Sequence, residues 1–286
     1  MNSFLVVNNF NAGRKQAVKC KKCLLDFFIK NKKTYKFIDI DSLAQTNISE
    51  FDAIIAVGGD GTINKIVPYI INTDKILGII PCGTANLLAA KLRIPENIDL
   101  ALDIILKGSV RSIDAVKIND KFSVLRTGFG YDSDIICKTP QSLKNKFGYF
   151  SYFIAGVLFA LRLKQQKYQI SFDDKKLSVL ATCIIVANAG NMYKNIVSVS
   201  KNCKLDDGFM DIFILKVKNP IMFFFEFLQI ILNKKSSNSK AMYFQCSNLS
   251  IKNDFCICHI DGEKQKIKDN IDFNIIPKAI NIFGNL

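Results

Sequence analysis

The first third of the chain alternates unbroken apolar runs with stretches of helical spacing. Positions 4–8 (FLVVN), 36–40, 53–57 (AIIAV) and 77–80 (LGII) predict short buried strands. Positions 13–29 carry apolar residues at Ala17, Cys20, Leu24, Phe27 and Phe28, a helical spacing, and 62–71, 84–92 and 100–106 predict further helices. Strand and helix in alternation predict an α/β, Rossmann-like unit: a doubly wound parallel sheet with helices on both faces. Beyond about residue 110 the texture changes. Positions 110–118, 122–128, 167–172, 179–187, 209–215, 243–251, 255–260 and 271–276 read as strands, interrupted by two long apolar runs at 147–161 and 221–232. Consecutive strands of this kind predict a mostly β second domain, an antiparallel sandwich. The predicted division is 1–116 for the α/β unit and 117–286 for the β-rich unit, with the last residues free to pack back on the first.

Composition narrows the picture. At roughly 150 residues per domain, 286 residues suggest two domains. An apolar content of 49% fits a globular chain. Lys and Arg number 39 against 25 acidic residues, so the net charge is 39 − 25 = +14. Lysine, asparagine and isoleucine are all abundant, so drift in residue usage is one reading of that excess, and attraction to an anionic partner (lipid headgroups, nucleotide or nucleic acid) is the other. The basic residues are dispersed, with no aromatic-interleaved basic motif, so nucleic acid is not an expected partner.

The single histidine, His259, excludes a zinc site built on several histidines; a Ser-His-Asp triad would have to use it. The nine cysteines are scattered. Cys20 and Cys23 form one CxxC and Cys256 and Cys258 a CxC, short of a four-cysteine zinc pattern. Reduced thiols in a cytoplasm are the expectation, with a redox or metal role for Cys20 and Cys23 as the minority alternative. No secretory leader is read at the start. Both long apolar runs fall short of the roughly 20 residues that span a bilayer. They read as core helices, but the lysines around them (Lys144, Lys146, Lys164, Lys234, Lys235) also suit shallow contact with an anionic membrane surface. The expected location is cytoplasmic and peripherally membrane-associated.

The sharpest motif is 57–64, VGGDGTIN, directly after a strand and opening a helix. Glycines let a backbone approach a ligand closely, and the amides at a helix start favour an anion. A tight turn that needs glycine for its own reasons is the alternative. A second strand-to-helix turn, 79–86 (IIPCGTAN), and a third polar turn, 8–13 (NNFNAG), lie at the carboxyl ends of strands, where parallel sheets bind ligands. Asp60 would repel bare phosphate, so a metal, a ribose hydroxyl or a water is its expected partner. Asp206-Asp207-Gly208 and Asp261-Gly262 are, singly, ordinary turn sequences.

GGDGT, then GTAN, then a late Asp-Gly-Glu in that order resemble the diacylglycerol kinase catalytic-domain family, which includes bacterial lipid kinases and sphingosine kinases. Thr127 to Asp132 (TGFGYD) is similar to the family's Gly-x-Gly-x-Asp segment. The 205–211 stretch (LDDGFMD), with Val186 to Asn188 before it, resembles its Asp-Gly and Ala-Asn segments.

The resemblance implies ATP on the first domain at an interdomain cleft. The nucleotide would be lined by Asn8, Gly13, Gly58, Gly59, Asp60, Gly61, Thr62, Ile63, Asn64, Lys65, Gly83, Thr84 and Asn86. It implies Glu263 as the general base for a lipid hydroxyl, assisted by Asp60 and Asp132. It also implies a magnesium held by Asp207 and the carbonyls of Lys204 and Phe209, with Asp132 and Asp207 in one acidic network. A carboxylate is ordinarily a weak base, so that role calls for burial or acidic neighbours.

Lys65 stands where the family usually has Glu, Leu87 where it has Asp or Asn, and Asn9 where it has Pro; Pro68 is expected to kink its helix. The reading is an ATP- and magnesium-dependent lipid kinase. An impaired nucleotide- or lipid-binding protein of the same fold is the alternative, and an NAD kinase-like enzyme a more distant one. A homodimer is compatible with an exposed strand edge.

Overall fold

The structure, a computed structural model, describes residues 2–8, 14–140, 142–143, 150–160, 163–189, 191–193, 197–198, 203–231, 240–253, 256–267 and 270–284. The chain divides into two compact units, residues 1–115 with 277–286, and residues 116–276.

In the first unit, β1 (Ser3–Asn8), β2 (Thr34–Asp39), β3 (Ala53–Gly58) and β4 (Ile76–Pro81) pair in parallel in the order β2-β1-β3-β4. Phe4 to Val7 and all six residues of β3 are buried. Near-continuous apolar strands are what a parallel sheet covered on both faces requires. The helices are α1 (Arg14–Lys30), α2 (Asp60–Ile70), α3 (Leu87–Lys91) and α4 (Ile98–Lys107). Asn97 caps α4 by accepting the Leu100 amide, and Gly108, at φ 71, closes it. α2 runs through the exposed Pro68 as far as Ile70. Two 3-10 segments, Ile40–Gln45 and Ile48–Glu50, follow β2.

β5 (Val110–Ile118) leads into the second unit. There β6 (Lys121–Ser123), β7 (Arg126–Gly130), α5 (Tyr131–Lys138), β8 (Gln166–Phe172), β9 (Lys175–Ala181), β10 (Cys183–Ala187), β11 (Asn191–Tyr193) and β12 (Val197–Ser198) follow in order. Then come β13 (Met210–Leu215), β14 (Ala241–Cys246), β15 (Asn248–Lys252), β16 (Cys256–Ile260), β17 (Glu263–Ile267) and β18 (Asn270–Phe283). One antiparallel sheet has the order β14-β13-β10-β7-β16-β17; a second sets β15 between β18 and β8, with β9 beyond. Phe129 from the first sheet meets Tyr168 and Phe273 from the second edge-on, at 6.3 and 6.2 Å between ring centroids, inside one apolar core. This is the sandwich.

β18 serves twice. Residues 270–274 pair with β15, and Asn281 and Ile282 pair with β4 in parallel. Between the halves, Lys278 takes φ 52 and donates its amide to Asp114 Oδ1 at 2.7 Å.

Candidate active site

In the first unit the two glycine turns are built largely from backbone. A Cβ on Gly58 would lie 2.2 Å from Thr62 Oγ1. Gly59 and Gly83 cross so closely that a Cβ on Gly83 would stand 2.4 Å from the Gly59 Cα. The Cys82 amide donates to Gly58 O at 2.9 Å, fixing that crossing. Gly61 differs: a Cβ there meets nothing within 4 Å, and the residue is exposed in the first turn of α2. Amides in a first turn lack partners within their own helix, so Gly61 presents backbone to open space where an anion is favoured.

The polar side chains of the motif mostly serve the protein itself. Asp60 Oδ2 accepts the Leu87 amide at 3.0 Å and Oδ1 the Leu88 amide at 3.1 Å. Its carboxylate ties the start of α3 to the start of α2. Burial pushes its pKa up, and the two amide donors pull against that. Asn86, left-handed at φ 49 and buried, accepts from Gly83 N and donates to Gly83 O, both at 2.9 Å. It therefore clamps its own turn. Thr62 and Ile63 are buried in the core, and Asn8 is buried at the end of β1. Asn64 is half-buried, and Gly83 and Thr84 are exposed. Lys65 is exposed and stands 3.6 Å from Asp41 on the surface, a pair worth little. Gly13 lies outside the described residues.

In the second unit the site is made of buried charge. Asp132, 3% exposed, places Oδ1 3.2 Å from Arg126 Nη2 and Oδ2 2.7 Å from His259 Nε2. Gly128 is glycine because a Cβ there would stand 2.0 Å from Asp132 Oδ2 and 2.5 Å from His259 Nε2. The Gly262 amide donates to His259 Nδ1 at 3.2 Å. Since Nδ1 accepts, the ring proton sits on Nε2 and is donated to Asp132. Burial alone would raise the Asp132 pKa, but Arg126 and His259 outweigh it and hold it down to about 2.

Asp261 is the second anchor. Its Oδ1 accepts from Ser123 Oγ at 2.5 Å, Leu125 N at 3.1 Å and Arg126 N at 2.8 Å, and its Oδ2 from Val124 N at 2.8 Å. Asp261 and Gly262 take φ 47 and 94, so the turn needs left-handed backbone twice. It is pinned at both residues, and Glu263 follows with an exposed side chain. The burial expected of a general base is therefore absent. Asp132, for its part, turns one oxygen to Arg126 and the other to His259. Among the described residues no group of three His, Cys, Asp or Glu side chains is arranged to hold a metal.

The 204–211 loop is the better candidate for a cation. Asp207 is half-buried and accepts the Phe209 amide at 3.1 Å, Gly208 takes φ 75, and Lys204 and Phe209 are exposed. Asp211 is fully buried. Its Oδ1 accepts from the Tyr243 hydroxyl and from Gln245, while Oδ2 is buried without a hydrogen-bond donor in range among the described residues. Burial raises its pKa and the Asp207 charge adds to that, while hydrogen bonds with Cys203, Tyr243 and Gln245 pull against it. Carboxylate and backbone carbonyl oxygens are hard donors of the kind magnesium takes.

The sequence pattern pointed to Asp132 and Glu263 but missed what holds them: Arg126, His259 and Asp261. A histidine two residues before Asp-Gly-Glu and an arginine inside an apolar strand were the available signals.

Two apolar helices lie in the same unit. Phe150–Ala160 exposes Phe150, Val157 and Leu158, while Pro220–Ile231 exposes Ile221, Met222 and Phe225. Phe150, expected in the core, is therefore at the surface, and Phe159 is half-buried; the Phe153 side chain lies outside the described residues. The second helix buries Phe223 against Tyr131 and buries Glu226, which pairs with Lys240 at 2.9 Å. No helix among the described residues is long and apolar enough to cross a membrane.

Residues 3–118 match the family described as the diacylglycerol kinase catalytic domain. Residues 126–284 match the YegS C-terminal NAD kinase beta sandwich-like domain. The chain is 32% identical to a diacylglycerol kinase of Staphylococcus epidermidis over 174 residues, covering 60% of this chain and 54% of that one. It is 32% identical to a diacylglycerol kinase of Bacillus subtilis over 177 residues, covering 60% and 57%. The matched stretch thus spans little more than half the length of these relatives. A solved structure from Bacillus anthracis str. Sterne, assigned to the diacylglycerol kinases, superposes with a TM-score of 0.82 over 99% of this chain and 97% of that one, at 22% identity.

Proposed function

This chain belongs to the diacylglycerol kinase family, and from that membership we propose that it transfers the γ-phosphate of ATP to a hydroxyl of a lipid alcohol, diacylglycerol foremost. The observation that carries the reading is the treatment of Glu263. Its backbone is pinned through Asp261 and the His259–Gly262 bond, yet its carboxylate stays exposed to a substrate. A fixed main chain with an accessible carboxylate puts the group where a docking hydroxyl can reach it, and the burial that its basicity calls for would have to come from the bound substrate.

Phosphoryl transfer depends on positioning and on neutralising charge. On the nucleotide side, Gly61 offers first-turn backbone, Thr84 an exposed hydroxyl, and Lys65 a cation near that helix start. Asp60, Asn86, Gly59 and Gly83 hold the two turns in register. Magnesium supplies charge neutralisation when bound; Asp207, with the carbonyls of Lys204 and Phe209, is the set proposed to hold it, and Asp211 stands behind them. Exposed apolar residues on the two helices, in a chain of net charge +14, favour docking on an anionic lipid surface.

Two of the three departures from the family pattern, Leu87 and Lys65, do not argue for an inactive relative; the third, Asn9, lies outside the described residues. Leu87 meets Asp60 through its amide, which any residue but proline supplies, and Lys65 lies at the surface. The test is phosphate transfer from labelled ATP to diacylglycerol and other lipid alcohols in mixed micelles, wild type beside Glu263→Ala. Loss of a general base lowers turnover by about 10²–10⁴-fold. Full turnover by the variant would remove Glu263 from the role. ATP binding with no labelled lipid from wild type would favour the binding-protein reading.

A further inference from the structure

Cys20 and Cys82 are brought together by the first unit although 62 residues separate them, with Sγ to Sγ at 3.0 Å. Cys20 lies on α1 and is fully buried; Cys82 follows β4, is half-buried, and immediately precedes Gly83 of the second glycine turn. Cys23, the sequence neighbour in the CxxC, is half-buried on the same helix, and no three-thiol cluster forms among the described residues. The geometry therefore couples α1 to the glycine turn through Cys82 rather than closing the CxxC on itself.

We propose that Cys20 and Cys82 are a redox-modification site at which a low-molecular-weight disulfide such as oxidised glutathione installs an intramolecular disulfide that weakens nucleotide binding. The accessible Cys82 thiolate attacks the oxidant, forming a mixed disulfide and releasing one glutathione thiolate. The Cys20 thiolate then attacks Cys82 Sγ, forming the protein disulfide and releasing the second. Two electrons pass to the sulfur–sulfur bond of the oxidant, and the two thiol protons go to solvent. The hydrogen bond with Cys20 raises the Cys82 pKa, and burial adds to it. The resting thiol is thus slow to react.

A disulfide sets its sulfurs about 2.05 Å apart, so the pair must close by roughly 1 Å. Rotation about the Cα–Cβ bonds supplies that movement, while the Cys82 backbone stays fixed, because its amide is bonded to Gly58 O and its neighbour Gly83 lies against Gly59. The bond therefore ties α1 covalently to the residue on which both turns are hung and limits their adjustment to a bound nucleotide. This second half rests on the nucleotide reading above; the cross-link itself does not.

The experiment incubates the reduced full chain with oxidised glutathione, blocks remaining thiols with N-ethylmaleimide, and maps peptides by mass spectrometry. ATP affinity is titrated on the same samples. The expected result is a Cys20–Cys82 peptide lighter by two hydrogens, an apparent Kd for ATP raised about fivefold or more, and reversal by dithiothreitol. Cys82→Ser should lose both the cross-link and the response of its ATP affinity to oxidant. A stable glutathione adduct on Cys82, or a Cys20–Cys23 link, would overturn the site. A Cys20–Cys82 link with unchanged ATP affinity would overturn the regulatory consequence. A reduced chain that binds no ATP would instead sink the nucleotide reading and leave the mapped cross-link standing.

Discussion

The two units hold their turns by opposite means. Around Gly58 to Asn86, one half-buried carboxylate, Asp60, ties amides together, and steric exclusion by three glycines does the rest. Around the Asp261 turn, buried charges do the holding: Asp132 between Arg126 and His259, and Asp261 over three amides and a hydroxyl. A backbone site of the first kind tolerates altered side chains but not an added methyl group. A buried-charge site of the second kind tolerates shape changes poorly and charge changes worse. The family's usual side chains have changed at Lys65 and Leu87 in the first site, whereas the second keeps its buried acids.

The largest expected effect is in the second unit. Arg126→Leu strands the Asp132 carboxylate in the core and should cost about 3–5 kcal/mol of stability in chemical denaturation. A loss below about 1 kcal/mol would show the charge is not held as described. Next, Gly83→Ala and Gly61→Ala separate fold from ligand in the first unit. Gly83→Ala drives a methyl into the Gly59 backbone and should destabilise by about 1–3 kcal/mol. Gly61→Ala meets open space, so stability should hold or rise by about 0.5–1 kcal/mol while ATP binding weakens. If Gly61→Ala bound ATP as wild type does, open space at Gly61 would not be a phosphate seat.

Acid titration sharpens the comparison. Asp132 has its folded pKa depressed from 3.8 to about 2, so its stabilising contribution is present above 3.8 and is lost as pH falls toward 2. The shift corresponds to roughly 2 kcal/mol. Asp60 is raised, so its ionisation favours the unfolded chain and stability falls as pH rises through the range above 3.8. Asp132→Asn should therefore flatten the acid limb of the stability curve, and Asp60→Asn should not. An unchanged acid limb in Asp132→Asn would contradict the buried pair. The smallest effect is Lys65→Ala, within about 0.5 kcal/mol in stability. A several-fold rise in the KM for ATP would assign its charge to the nucleotide instead of to Asp41.

The first site was the more legible because its information is local. An apolar strand, glycines and a helix start lie within eight residues, and the glycine spacing stands in the sequence itself. What the pattern could not reveal was that Gly59 and Gly83 are glycine for each other. The second site was legible only as isolated acids, since Asp132 and His259 are 127 residues apart. The same contacts explain the strand errors. Positions 122–128 read as one strand, but the amides of Val124, Leu125 and Arg126 turn to Asp261, so β6 and β7 are separate. Positions 179–187 break at Thr182, whose amide bonds Leu215 O, giving β9 and β10. β17, rich in lysine and glutamine, carried no apolar signal because it is an exposed edge beside β16.

The double service of β18 gives the molecule an order of manufacture. During synthesis the first unit's strands β1 to β4 leave the ribosome early, but β4 keeps a bare edge until residues 281–282 arrive, after the whole second unit has been translated. An unpaired strand edge recruits other chains, so the growing polypeptide carries a sticky flank through most of its production. Expression of residues 1–116 alone would make that flank permanent, whereas joining 277–284 to that piece by a short linker supplies the missing strand.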